Sequence, residues 1–155
     1  MKVLIIAAAL CGLALSILGA VGAHLMAGAT VEEAFQSVEK LMQSGRWHQL
    51  DTLAWNSAML FGLAHTLAAL LATALPVRGS IASAAGWAFI AGTVLFSFTL
   101  MAKEILLARF MPAENPDNAI ALYNSITRVT PVGGMAFMAG WILLIVAVLM
   151  KRREA

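Results

Sequence analysis

The stretch Thr130 to Met150, TPVGGMAFMAGWILLIVAVLM, contains no charged residue, and Lys151, Arg152 and Arg153 follow it directly. A helix rises 1.5 Å per residue, so this run is roughly 30 Å long, the thickness of one bilayer core. Thr130 is a suitable helix cap. Pro131 suits the first helical position, where its missing N–H costs nothing. The reading is a transmembrane helix over about 131–150, with the basic clamp at its end on the cytoplasmic side.

Composition extends that reading to the whole chain. Of 155 residues, 61% are hydrophobic and 12% charged, whereas soluble domains sit near about 45–50% and 25%. One soluble core of this size cannot hide so much apolar surface. The net charge of +2 is too small for nucleic acid to be a partner, and the cations cluster at helix ends and form no groove. Cys11 is the sole cysteine, which excludes an intrachain disulfide and leaves a small packing residue.

Upstream of the last helix, Asn115 and Pro116 are a good cap and first position. Ile120, Tyr123 and Ile126 then give residues 116–127 an apolar face, predicting a short interfacial helix. The third apolar run predicts a helix over about 81–108. Its last turns, holding Lys103, Glu104 and Arg109, reach the headgroup zone, where long side chains snorkel to water. Asp51 caps a second helix over about 52–75, which carries Asn56 and His65 and ends at Pro76. Before it, Thr30 and Glu33 form a capping box, followed by a stripe that includes Phe35, Val38 and Leu41. This predicts a second interfacial helix over about 31–44, with Trp47 beyond it at interface depth. Residues 3–26 are either a signal peptide or the first membrane helix. About 24 apolar residues exceed a signal core, and Leu10 before Cys11 does not suit a lipoprotein signal, so a retained helix is expected.

The charges give a topology. The N-terminus, the link holding Arg78 and the C-terminus together carry +4, while the connections 27–52 and 103–128 carry −2 and 0. Four helices put the first three segments on one face, and the positive-inside rule makes that face cytoplasmic. Both interfacial helices then lie on the other side. Inside lipid, close backbone approach and polar contacts hold helices together more than apolar burial does. Small residues recur at four-residue spacing as Gly12, Ser16 and Ala20, with His24 next in that register, as Ala84, Ala88 and Gly92, and as Ala136 and Gly140. They predict tight crossings in a compact bundle.

His24 and His65 are the candidates for chemistry, since an ionisable group inside a membrane is a functional hypothesis by default. A shared haem or metal is disfavoured by depth. His65 is near the middle of its helix, and His24 is about nine residues, or roughly 14 Å, off the midplane. The expected role is a neutral histidine hydrogen-bonded to a neighbouring carbonyl or hydroxyl, with Asn56, Thr93, Ser97 and Thr99 as further polar links between helices. No nucleophile–base arrangement, phosphate loop or CxxC is present, and the nine methionines have no copper-site spacing. An enzyme is therefore not expected, nor a cofactor or metal.

Four motifs carry a resemblance. Gly19-Ala20-Val21-Gly22-Ala23-His24 resembles the GAFGAH motif of the small membrane proteins called domain of unknown function 423. His65-Thr66-Leu67-Ala68 is similar to that family's HTLA stretch, and Gly92-Thr93-Val94-Leu95-Phe96-Ser97 to its GTVLFSG signature. Thr130-Pro131-Val132-Gly133-Gly134, with Phe137 and Gly140-Trp141, resembles its TPxGG…F…GW ending. The resemblance runs through all four helices in order and implies a four-helix protein of the bacterial inner membrane. Phe98 and Val21 depart from it, standing where the family usually has Gly and Phe. Both outer connections are longer than the family's usual ones.

The expected fold is all-α, an integral membrane four-helix bundle with two short interfacial helices on the non-cytoplasmic side. The expected function is a non-catalytic accessory or structural subunit that packs in the bilayer against other membrane protein subunits. Phe35, Val38, Leu41, Trp47, Ile120 and Tyr123 would be its docking residues. The alternative is a small transporter, or a proton- or quinone-handling protein, using His24 or His65.

Overall fold

A computed structural model describes residues 2–27, 52–75, 79–110 and 116–151. Its elements are α1 (Lys2–Ala27), α2 (Thr52–Ala74), α3 (Ser80–Gly92), a π-helical segment (Thr93–Phe98), α4 (Thr99–Phe110) and α5 (Pro116–Lys151). Among the described residues, Lys2–Val21, Ala54–Ala74, Ser80–Glu104 and Arg128–Met150 are long and apolar enough to cross a membrane. The all-α, four-span reading therefore stands. In hydrocarbon a helix satisfies every backbone group within itself, so four such runs leave little choice of architecture.

The spans pack as a row in chain order. α1 lies mainly on α2, α2 on the third span, and the third span on α5, while α1 and α5 make little or no contact. Leu4, Ala8, Ala68, Ala69, Ala72, Ala85, Phe89 and Phe137 belong to the main core, together with the buried Cys11. Leu15, Trp55, Ala58 and Met101 form a second cluster towards the far end of α1. Phe98 packs against both clusters, so a bulky ring joins them where the related motif has glycine.

Three features differ from expectation. The third span is not one α-helix: six residues, Thr93–Phe98, adopt π-helical pairing. Nor does α5 begin at Pro131. It starts at Pro116 and runs 36 residues with Pro131 inside it. Residues 116–127 thus extend the last span along its own axis in place of forming a separate interfacial helix. Thr130 and Pro131 are interior positions, not a cap and a first turn. Proline removes the bond to the carbonyl four residues back, a loss membrane helices tolerate when neighbouring groups and helices compensate. The predicted helix over 31–44, with Phe35, Val38 and Leu41, lies outside the described residues, as does Trp47.

Third, the small residues are used in another register. Gly12 meets Thr66 of α2 and Gly19 meets Met59, but Ser16 and Ala20 are exposed. On α3, Ala84 is exposed, while Ala82, Ala85 and Gly86 are buried, with Leu4 seated against Gly86. The closest backbone approach joins the third span to α5. A Cβ on Gly133 would lie 2.5 Å from the Phe96 amide nitrogen and 2.8 Å from the Leu95 carbonyl carbon. One turn on, Gly92 faces Phe137, and Gly140 faces Phe89.

Candidate functional site: a histidine held between α2 and α5

His65 sits just past the middle of α2 and is 8% exposed. Its Nδ1 is 2.7 Å from the Phe61 carbonyl oxygen one turn back on the same helix. Its Nε2 is 3.2 Å from the indole Nε1 of Trp141 on α5. These partners settle the tautomer chemically. A carbonyl only accepts and an indole N–H only donates, so Nδ1 carries the proton and Nε2 offers its lone pair. The histidine is neutral, with both nitrogens engaged. A proton added at Nε2 would face the indole N–H and break that bond.

Aromatic rings surround the imidazole. Phe137 stacks on it with centroids 3.6 Å apart and planes 15° apart. Phe61 lies nearly parallel at 6.0 Å, and Phe89 is tilted at 5.7 Å. The Trp141 indole meets Phe89 edge-on at 5.0 Å. Phe96, from the π segment, is tilted against both Phe61 and Phe137 at 5.3 and 5.8 Å. The backbones of α2 and α5 pack loosely, yet their rings bridge the space over the π segment. Such pairs contribute about 0.5–1.5 kcal/mol each beyond their buried area. Gly92 and Gly140 let Phe137 and Phe89 reach their places, because each ring occupies the position where a Cβ would stand.

The family-motif residues therefore converge in part. His65, Gly92, Gly133, Gly140 and Trp141 all belong to this one junction. Gly134, the neighbour of Gly133, has nothing within 4 Å of a Cβ position and takes no part. Gly19 is distant, on the α1–α2 contact. Gly22, His24, Ile120 and Tyr123 fall in helical backbone, and their surroundings lie outside the described ones. Sequence reading picked out His65 and Trp141 separately. It missed Phe61 and Phe89, and no local pattern distinguishes them from lipid-facing phenylalanines.

The other polar residues behave differently from the expected cross-helix links. Thr93 donates to Phe89 O (3.0 Å) and Thr99 to Val94 O (3.3 Å), both within their own span. Asn56 is exposed. Thr66, Ser97 and Thr130 each bury a hydroxyl oxygen without a hydrogen-bond partner among the described residues. Lys103 and Glu104, expected in the headgroup zone, are instead 9% and 4% exposed, and their side chains pair at 3.0 Å. The α2–α4 and α4–α5 packing encloses the end of the third span and shields them from solvent.

Among the described residues no group of three or more His, Cys, Asp or Glu side chains could hold a metal ion. At His65 the lone pair a metal would need is already given to Trp141.

A family model described as "Protein of unknown function (DUF423)" matches residues 18–134. The UPF0382 membrane protein YwdK of Bacillus subtilis (strain 168) is 30% identical over 151 residues, covering 95% of this chain and 96% of its own. The UPF0382 membrane protein SH2409 of Staphylococcus haemolyticus (strain JCSC1435) is 28% identical over 148 residues, covering 95% of each. No solved structure matches the chain.

Proposed function

The chain belongs to the DUF423 family of membrane proteins, and from that premise we propose that it is a non-catalytic accessory or structural subunit. It packs laterally against other membrane protein subunits in the bacterial inner membrane, with both termini on the cytoplasmic face. The observation that carries this reading is the state of His65. The buried ionisable group at the centre of the packing has one nitrogen on its own helix and the other on α5. It acts as a strut between spans and has no free lone pair for ligand or proton.

The row arrangement supports the same role. α1 and α5 stand at opposite ends of the row, and each presents large apolar side chains outward. Val3, Ile6, Leu10 and Leu13 do so on α1, and Met138, Ile142 and Ile145 on α5. Either flank is open to a neighbour in the membrane. Gentle solubilisation from the native membrane, followed by a native gel with mass spectrometry of the band, tests the proposal. Co-migration with a larger assembly at fixed stoichiometry is expected. Migration alone, at the size of a monomer or small oligomer, would overturn it.

A further inference from the structure

Ser97 and Thr66 are 0% and 3% exposed, and neither hydroxyl has a hydrogen-bond partner among the described residues. That is unusual. A serine or threonine in a helix ordinarily satisfies itself on the carbonyl four residues back. Ser16 does so on Gly12 at 2.9 Å, and Thr93 on Phe89 at 3.0 Å. Ser97 lies in the π segment, where backbone pairing shifts by one residue and the usual acceptor is displaced. Thr66 has its methyl group on the α1 side, 3.6 Å from the Cβ position of Gly12.

Gly62 seats Ser97 against α2 and forms the seam between them. Its Cβ position is 2.9 Å from Ser97 Oγ and 2.8 Å from a methyl of Leu15, so any side chain there would occupy the approach to the serine. Thr66 is four residues further along α2, one turn up the same face, at about 5–6 Å between side-chain origins. A molecule that accepts from one hydroxyl and donates to another bridges them with two bonds of about 2.8 Å. Along this span the nearest charges, Lys103 and Glu104, are six and seven residues beyond Ser97, roughly 9–10 Å. The seam therefore suits a small neutral guest that both donates and accepts.

We propose that Ser97 and Thr66 form a binding site for internal water at the junction of α1, α2 and the π segment, in the interior of the membrane-spanning region. Buried waters occur about once per 27 residues and take two to four polar partners. The hydroxyls supply two of them. The irregular backbone of the π segment is the kind of place where ordered water completes hydrogen bonding inside a membrane protein.

The test is water-to-protein cross-relaxation by NMR on the full chain in lipid nanodiscs, with melting curves of the variants. Long-lived water cross-peaks at the amides around Ser97 and Thr66 are expected, absent in Ser97→Ala and in Gly62→Ala. Ser97→Ala and Thr66→Val should each lower Tm by about 2–6 °C, and the double variant should fall little further, because either change releases the same water. If Gly62→Ala does not fold, the other two variants still decide. Wild-type cross-peaks only to lipid protons, or a rise in Tm for Ser97→Ala and Thr66→Val, would overturn the proposal. A rise would mean that the hydroxyls are simply uncompensated.

Discussion

Replacing Trp141 by Phe removes the donor that His65 Nε2 has, among the described residues, across the row. The ring survives, so most of the edge-on contact with Phe89, at 5.0 Å and 66°, is retained. What is lost is a hydrogen bond of 3.2 Å, near the long end of the range, on an acceptor that is 8% exposed. Leaving a buried acceptor unpaired costs about 1–3 kcal/mol, and cross-helix hydrogen bonds in membranes average about 0.6 with a maximum near 1.7. The expected loss is about 1–2 kcal/mol, a factor of roughly 5–30 in the folding equilibrium. His65→Phe strands the indole N–H in turn, so the double variant should show a coupling of about 1 kcal/mol. Steric-trapping measurements of unfolding in bicelles give these energies, and solid-state 15N spectra report which nitrogen carries the proton. A coupling below about 0.3 kcal/mol, or a proton on Nε2, would refute the reasoning.

Gly133→Ala should cost at least about 2–3 kcal/mol, because the clashing atoms are backbone of Leu95 and Phe96 and cannot rotate away. Its neighbour is the control: Gly134→Ala meets open space and should be neutral or stabilising by up to about 1 kcal/mol. Equal effects at the two positions in the same unfolding assay would contradict the close approach of Gly133 to the Leu95–Phe96 backbone. At the Lys103–Glu104 pair, Lys103→Met or Glu104→Leu alone should each destabilise, and the two together should cost clearly less than the sum, since the side chains pair at 3.0 Å. Additive losses in thermal melts would show that the pair is not coupled. A fluorescent-protein fusion at the C-terminus should light up and an alkaline-phosphatase fusion there should stay inactive; the opposite pattern would reverse the assigned orientation.

Much of this molecule can be read one residue at a time. Number, length and order of the spans follow from uncharged runs, because a membrane helix needs about 20 apolar residues, whereas a barrel strand needs about 10 with alternating polarity. The family is equally legible, since its motifs are contiguous in the chain. The small-residue ridges were legible only as composition. Gly12 and Gly19 do face α2, but Ser16 and Ala20 point outward. In a membrane both faces of a helix are apolar, so periodicity does not say which side is buried.

What only the tertiary structure decided lies where distant residues meet. Pro131 looks like a first turn in the chain, yet a helix already formed from Pro116 passes through it. The π segment carries no sequence mark; it appears where the backbone of Gly133 presses against Leu95 and Phe96. Lys103 and Glu104 read as surface charges until packing encloses them. His65 is an ambiguous histidine until Trp141, 76 residues later, donates to it and fixes its tautomer. The sequence by itself determines the solvent this protein lives in and the number of times it crosses. The role of each polar group depends on its partners, and only packing brings those within hydrogen-bond reach.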